Sequence, residues 1–280
     1  MGELRVPVEG GELVGEVAGE GPPLLLLHGG PGLADYTAGL AAELGRDWTV
    51  ARYTQRGTEP SVIEGDVTVA GHVADVISVL EHLGWERPVL AGHSWGGHLA
   101  LHVLGRHADR FAGGVVLDPL GGVGDGGRAP FEAALMSRLP DANRPRFEEL
   151  VALEEELGGL GAEEDREALG LLWPAYFPDP ASAPPMPEIG MSTRGSEMFA
   201  SQAESLPSLE PLLRTLEVPV LFVHGSASPM PVSASADTAA VVPDATLRVL
   251  DGAGHFLWMD RPGAVVDEVA AWVSRSASAR

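Results

Sequence analysis

Ala91-Gly92-His93-Ser94-Trp95-Gly96-Gly97 stands between an apolar run, Pro88-Val89-Leu90-Ala91, and an amphipathic one, His98-Leu99-Ala100-Leu101-His102-Val103-Leu104. The first run reads as a strand and the second as a helix. A serine with a glycine two residues to either side, on a strand-to-helix turn, has the form of a nucleophile elbow. The turn forces the serine backbone into a strained conformation. Side chains at Gly92 and Gly96 would collide with the tightly turned backbone or the neighbouring strand. The Ser94 hydroxyl is then held clear of the sheet at a helix N-terminus, where peptide dipoles favour developing negative charge.

Outward from the elbow, strand and helix patterns alternate. Residues 3–8 and 11–18, separated by Glu9-Gly10, read as an opening hairpin, and Pro22 to Leu27 and Trp48 to Tyr53 as further strands. Val67 to Leu83 has helical periodicity, with Val69, Val73, Val76, Ile77 and Leu80 on one face and Gly84 at its end. Gly113 to Asp118, Val218 to His224 and Thr246 to Leu250 continue the strands, with helices over 233–241 and Ala264 to Ser274. This alternation predicts an α/β fold with a mostly parallel sheet covered by helices on both faces. Residues 131–206 break the pattern, reading as helices with no strand between them. They predict a helical lid inserted between two strands, with residues 1–119 and 216–280 forming the core and 120–215 the cap. The glycine-rich stretch Gly121 to Gly127 precedes the lid and reads as a hinge.

Composition narrows the function. A chain of 280 residues can build one large core, or one core with an inserted subdomain. A net charge of −22 argues against nucleic acid and reads as a solvated surface. All 18 basic side chains other than histidine are arginine. The absence of cysteine excludes disulfides, thiolate catalysis and cysteine-ligated metal. No apolar stretch suits a membrane span, and no metal or nucleotide motif stands out, so no cofactor is expected. A cytoplasmic enzyme acting on a small molecule is the expectation, and oligomeric state is not legible.

An activated serine needs a base. His255, in Asp251-Gly252-Ala253-Gly254-His255-Phe256, follows the last strand on a glycine-rich loop that can fold back over the strand ends. The other histidines lie on helices, at strand ends or in the elbow itself. An oxyanion needs two preorganised N–H donors. Trp95, just after the nucleophile, supplies one, and Gly30, in His28-Gly29-Gly30-Pro31-Gly32, is expected to supply the second.

Together these segments, with Tyr53-Thr54-Gln55-Arg56-Gly57 and Gly254-His255-Phe256, resemble an α/β-hydrolase-fold enzyme, most of all the prolyl iminopeptidase-like branch. The resemblance covers nearly the whole chain apart from the lid, and implies a Ser–His–acid triad beneath a helical cap. Two positions depart from it. Thr54 and Glu59 replace an aspartate and a glycine of the family's loop. More seriously, Ser228, in Gly225-Ser226-Ala227-Ser228-Pro229, stands where the family's acid belongs. A hydroxyl there cannot stabilise an imidazolium electrostatically. Asp118, in Leu117-Asp118-Pro119, is the first candidate to replace it, since pancreatic-type lipases are similar in carrying their acid at this strand end in a Leu-Asp-Pro sequence. Its alternative role is to cap the turn into the lid. Asp251 is a weaker candidate because it lies so close to His255 in sequence.

These residues predict a serine hydrolase using Ser94, His255 and Asp118 on a small ester, lactone or amide. The alternatives are an aminopeptidase of the prolyl iminopeptidase type and a non-hydrolytic protein of the same fold, whether lyase, cyclase or binding protein. An aminopeptidase needs inward-facing acids in the lid; the lid glutamates read as an outer surface rather than a metal site, and the sequence alone does not sort them into inward and outward. Trp173, Tyr176 and Phe177 suit either a pocket wall or lid packing.

Overall fold

The computed structural model describes residues 2–192, 194–206 and 209–278, and among them eight strands form one sheet. They are β1 (Gly2–Val8), β2 (Gly11–Ala18), β3 (Pro23–Leu27), β4 (Thr49–Tyr53), β5 (Val89–His93), β6 (Gly113–Leu117), β7 (Val220–Gly225) and β8 (Ala245–Leu250). Their order is β1-β2-β4-β3-β5-β6-β7-β8. β1 and β2 form the expected hairpin, β2 runs antiparallel to β4, and every later pairing is parallel.

β3 explains why the central strands are apolar throughout. Leu24, Leu25, Leu26 and Leu27 are all fully buried, yet they serve two layers. Leu25 and Leu27 face α2 (Val69–Leu83) and α3 (Trp95–His107), through Val73, Val76, Leu99 and Val103. Leu24 and Leu26 face the opposite layer, made by α1 (Ala38–Leu44) and the C-terminal helix (Ala264–Ser278), through Leu40, Leu44, Val265 and Val269. Side chains alternate across a strand, so a sheet covered on both faces has no polar positions to spare.

The Val69–Leu83 helix begins two residues later than its periodicity predicts. The Thr68 hydroxyl accepts from the Gly71 N–H at 3.2 Å and caps it, and Gly84 closes it in the left-handed conformation at φ 64°. Val69, Val73, Val76 and Leu80 are buried as expected, and Ile77 is half-buried at the edge of that face.

Between β6 and β7 the described residues form α4 (Arg128–Arg138), α5 (Arg144–Leu157), α6 (Ala162–Leu172), α7 (Gly195–Ser205) and α8 (Leu209–Leu213). Only Leu150 of α5 is buried, and no residue of α6 is. Glu148, Glu149, Glu154, Glu155, Glu156 and Glu163 are exposed and Glu164 half-buried, in keeping with an outer surface. The glycine-rich connection into this segment is not slack. The Gly121 N–H donates to the Gly126 carbonyl and the Gly122 N–H to the Thr238 hydroxyl, both at 2.8 Å. Thr238 belongs to α9 (Val232–Val241). A Cβ at Gly121 would stand 2.5 Å from the Ala234 carbonyl, so Gly121 permits close packing, whereas a Cβ at Gly124 would meet nothing within 4 Å.

Candidate active site

Ser94 follows β5 and precedes α3 with φ 56° and ψ −120°, a conformation an L residue adopts only under tight constraint. The constraint comes from both glycines. A Cβ on Gly92 would stand 2.1 Å from the Gly96 carbonyl oxygen, and one on Gly96 would stand 2.3 Å from that of His28. The elbow thus folds onto itself and onto the end of β3. The Ser94 N–H donates to the Leu117 carbonyl at 2.9 Å, tying the turn to the neighbouring strand.

His255 and Asp118 meet at the same sheet edge. The His255 ring Nδ1 lies 2.6 Å from Asp118 Oδ2, both side chains buried. Asp118 follows β6 at φ 43°, which turns its carboxylate towards the loop after β7. Four groups converge on it. Oδ1 accepts from the Gly225 N–H at 2.9 Å and lies 3.3 Å from His224 Nε2, while Oδ2 accepts from the Ser228 hydroxyl at 2.5 Å and from His255. Burial opposes ionisation of Asp118. The His224 and His255 rings and the Gly225 N–H outweigh it, and the carboxyl is held below its ordinary range. Ser228, at the position where a carboxylate was expected, does not bond the imidazole. It donates to the carboxylate that does. Asp251 is exposed, and among the described residues its side chain meets the Ser226 hydroxyl at 3.4 Å rather than His255.

Ser94 and His255 line one cavity of about 130 Å³, and no hydrogen bond joins their side chains among the described residues. Such contacts are often long without substrate and tighten when it binds. Gly30, Leu33, Tyr36, Phe131, Leu169, Trp173, Tyr176, Ile189 and Phe256 complete the wall. No charged side chain faces it among the described residues. Trp173 and Tyr176 are therefore pocket residues, whereas Phe177 packs beneath them against Phe256, with ring centroids 5.7 Å apart. The N–H groups of Gly30 and Trp95 have no hydrogen-bond partner among the described residues. His28 braces the Gly30 loop, its Nδ1–H donating to the Gly29 carbonyl at 2.7 Å and its Nε2 accepting from the Gln55 N–H at 2.9 Å.

The sequence matches the model of a family described as "Alpha/beta hydrolase family" across residues 24–268. The chain belongs to the alpha/beta hydrolase family.

Epoxide hydrolase A of Mycobacterium tuberculosis is 28% identical, over 87% of this hydrolase and 88% of its own length. A probable aminopeptidase, YbaC of Bacillus subtilis, is 39% identical over a shorter stretch, 32% of this hydrolase. This chain spans only 31% of YbaC's length in that match. Among solved structures, a thermophilic esterase from Thermogutta terrifontis superposes with a TM-score of 0.67 at 22% identity, covering 98% of this chain and 99% of that one. At that identity the likeness shows the fold.

Tyr36 and His93 carry no sequence signal for a role at the site, since they pair with each other across 57 residues and His93 with His255 across 162. The Thr54–Gly57 loop proves structural. The Gln55 amide nitrogen donates to the His28 carbonyl at 2.6 Å, its oxygen accepts from the Trp95 indole at 2.9 Å, and Arg56 grips Asp75 with two bonds of 2.7 and 2.6 Å. Thr54, in place of the family's aspartate, accepts the Asp35 N–H at 3.3 Å.

Proposed function

We propose that this protein is a serine hydrolase cleaving small, uncharged esters or lactones by acyl transfer, with Ser94 as nucleophile, His255 as base and Asp118 as acid. The 2.6 Å contact of His255 with a buried carboxylate, at the wall that also carries Ser94, is the observation that carries this reading. An ionised Asp118 accepts a hydrogen bond from the Nδ1–H, leaving the Nε2 lone pair of His255 to receive the Ser94 proton as Oγ attacks the carbonyl carbon. Negative charge gathers on the carbonyl oxygen, where the Gly30 and Trp95 N–H groups donate to it. His255 then returns the proton to the leaving oxygen, and water attacks the acyl-serine with the same base.

Substrate class follows from the cavity. Its volume of about 130 Å³ is close to that of a cavity of about 150 Å³ that accommodates benzene, which suits a small acyl group. The wall is aromatic and aliphatic and suits a neutral group. Residues 120–215 act as the cap over a core of 1–119 and 216–280. The aminopeptidase reading draws on the likeness to YbaC over a third of the chain, and on a proline iminopeptidase from Lactobacillus helveticus that is 36% identical over 35% of this chain. Those names concern cleavage beside a free amine. No carboxylate faces the cavity among the described residues, which supports the ester reading over the peptidase one.

A fluorophosphonate probe followed by a substrate panel tests the proposal. Wild-type protein should take one label at Ser94, lost in Ser94→Ala, and p-nitrophenyl acetate or butyrate should be turned over faster than any aminoacyl arylamide. An unlabelled, folded wild-type protein would remove the hydrolase reading, and preference for prolyl arylamide would replace it with the peptidase one.

A further inference from the structure

Two side chains outside this reaction scheme join the loop that carries Gly30 to the loop that carries His255. The Gly29 N–H donates to the Tyr36 hydroxyl at 2.9 Å, the hydroxyl lies 2.8 Å from His93 Nδ1, and His93 Nε2 lies 2.9 Å from the His255 carbonyl oxygen. One arrangement of protons satisfies all three contacts. The His255 carbonyl can only accept, so Nε2 of His93 must carry a proton. Burial, then the neighbouring His255, pushes the His93 pKa down to about 3, so its ring is neutral and Nδ1 keeps a lone pair. Tyr36, whose pKa burial raises well above the ordinary value, therefore donates to Nδ1 while accepting from Gly29.

The path borders the nucleophile, the oxyanion loop and the base loop. His93 is the residue before Ser94, and its ring centroid lies 4.7 Å from that of His255. A Cβ on Gly29 would meet the Tyr36 hydroxyl at 2.1 Å and Ser94 Cβ at 2.9 Å, so hydroxyl and nucleophile crowd one face of this glycine. Because Tyr36 occupies the Gly29 N–H, the Gly30 N–H is the one the loop leaves open. Tyr36 is itself held between rings, with Phe256 at 5.6 Å and Trp258 stacked at 6.5 Å.

We infer that Tyr36 and His93 are positioning residues, a directed hydrogen-bond relay that fixes the distance between the oxyanion loop and the base loop across the nucleophile. The inference rests on the serine-hydrolase reading above. Rigid spacing matters because a displacement of about 1 Å in such a site costs on the order of a hundredfold in rate.

Tyr36→Phe keeps the ring contacts and removes the relay. On p-nitrophenyl acetate its kcat should fall on the order of tenfold to a hundredfold, with KM unchanged and the melting temperature close to wild type. An unchanged kcat, or a raised KM with kcat intact, would reduce Tyr36 to a piece of cavity wall. Nitrogen-15 NMR of wild-type His93 provides a second readout, independent of turnover and of how the variant folds. The ring should remain neutral and protonated on Nε2 from about pH 5 to 8. A proton on Nδ1, or titration within that range, would overturn the relay. If wild-type protein refuses the fluorophosphonate, the hydrolase reading falls while the tautomer still decides whether the relay exists.

Discussion

The elbow and the helical segment above it meet at one cavity but are packed in opposite ways. Every residue of β5 is buried, and the elbow glycines sit where a single methyl group would strike backbone at 2.1 to 2.4 Å. In the helical segment α5 buries only Leu150 and α6 buries no residue, and a Cβ on Gly170 of α6 would meet only the end of Met186, at 3.8 Å. The proposed reacting groups therefore stand on a tightly packed frame, and the proposed acyl pocket is finished by an element with room for larger side chains. Such a division lets specificity vary without disturbing chemistry.

The strongest way to break this contrast is Gly96→Ala. Its methyl group would stand 2.3 Å from the His28 carbonyl oxygen and 2.4 Å from that of Leu27, neither on a flexible side chain. Loss of about 3 kcal/mol or more is expected, with the surviving folded protein inactive because the elbow has shifted. A thermal melt beside an ester assay checks this, and near-native values in both would contradict the packing argument.

Acid should expose the core next. His72, His93, His98 and His102 have pKa values pushed down to about 3, 3, 4 and 2, in each case chiefly by burial. All four lie on or beside core elements, and the segment from α4 to α7 contains no histidine. Unfolded, each binds a proton below about pH 6.5, and folded each does not. The unfolded state therefore binds more protons, and folding stability is lost as pH falls from about 6.5 towards 4, by up to about 1.4 kcal/mol per histidine per pH unit. Melting temperatures measured from neutral pH to about pH 5 should fall, and a flat profile would contradict neutral, buried rings.

Smaller effects belong to the helical segment. Leu169→Ala removes a half-buried wall of the cavity. It should raise the kcat/KM ratio of hexanoate over acetate by roughly tenfold with little loss of stability. An unchanged ratio would remove Leu169 from the acyl pocket. Gly170→Ala, the counterpart of Gly96→Ala, should stabilise by up to about 1 kcal/mol, since a helix interior favours alanine and the site has space. A lower melting temperature would show that α6 is packed more tightly than its contacts indicate.

Much of the frame was legible because it depends on neighbours in sequence. The apolar run at Leu24–Leu27, the spacing of Gly92, Ser94 and Gly96, and Gly84 at a helix end each answer a local steric demand. The α1 helix was not legible, being seven residues long and rich in alanine, and it forms because Leu40 and Leu44 find the sheet. In the candidate site, Ser94 and His255 announce themselves through the glycines around them. Asp118 came to notice through the serine at 228, and the contact between Ser228 and Asp118 joins residues 110 apart. The cavity wall was the least legible part. Phe131, Leu169 and Ile189 carry no motif, and only the fold brings them beside Trp173 and Tyr176.

The proposed chemistry depends on which residue serves His255. Steady-state turnover of an ester by Asp118→Asn and Ser228→Ala, each compared with wild type, is the most direct measurement. Asp118→Asn should lower kcat by roughly three to four orders of magnitude with the fold retained. Ser228→Ala, which removes one donor to that carboxylate and the acceptor of the Met230 N–H but leaves the His255 contact in place, should cost about tenfold or less. Near-normal turnover in Asp118→Asn would contradict the account.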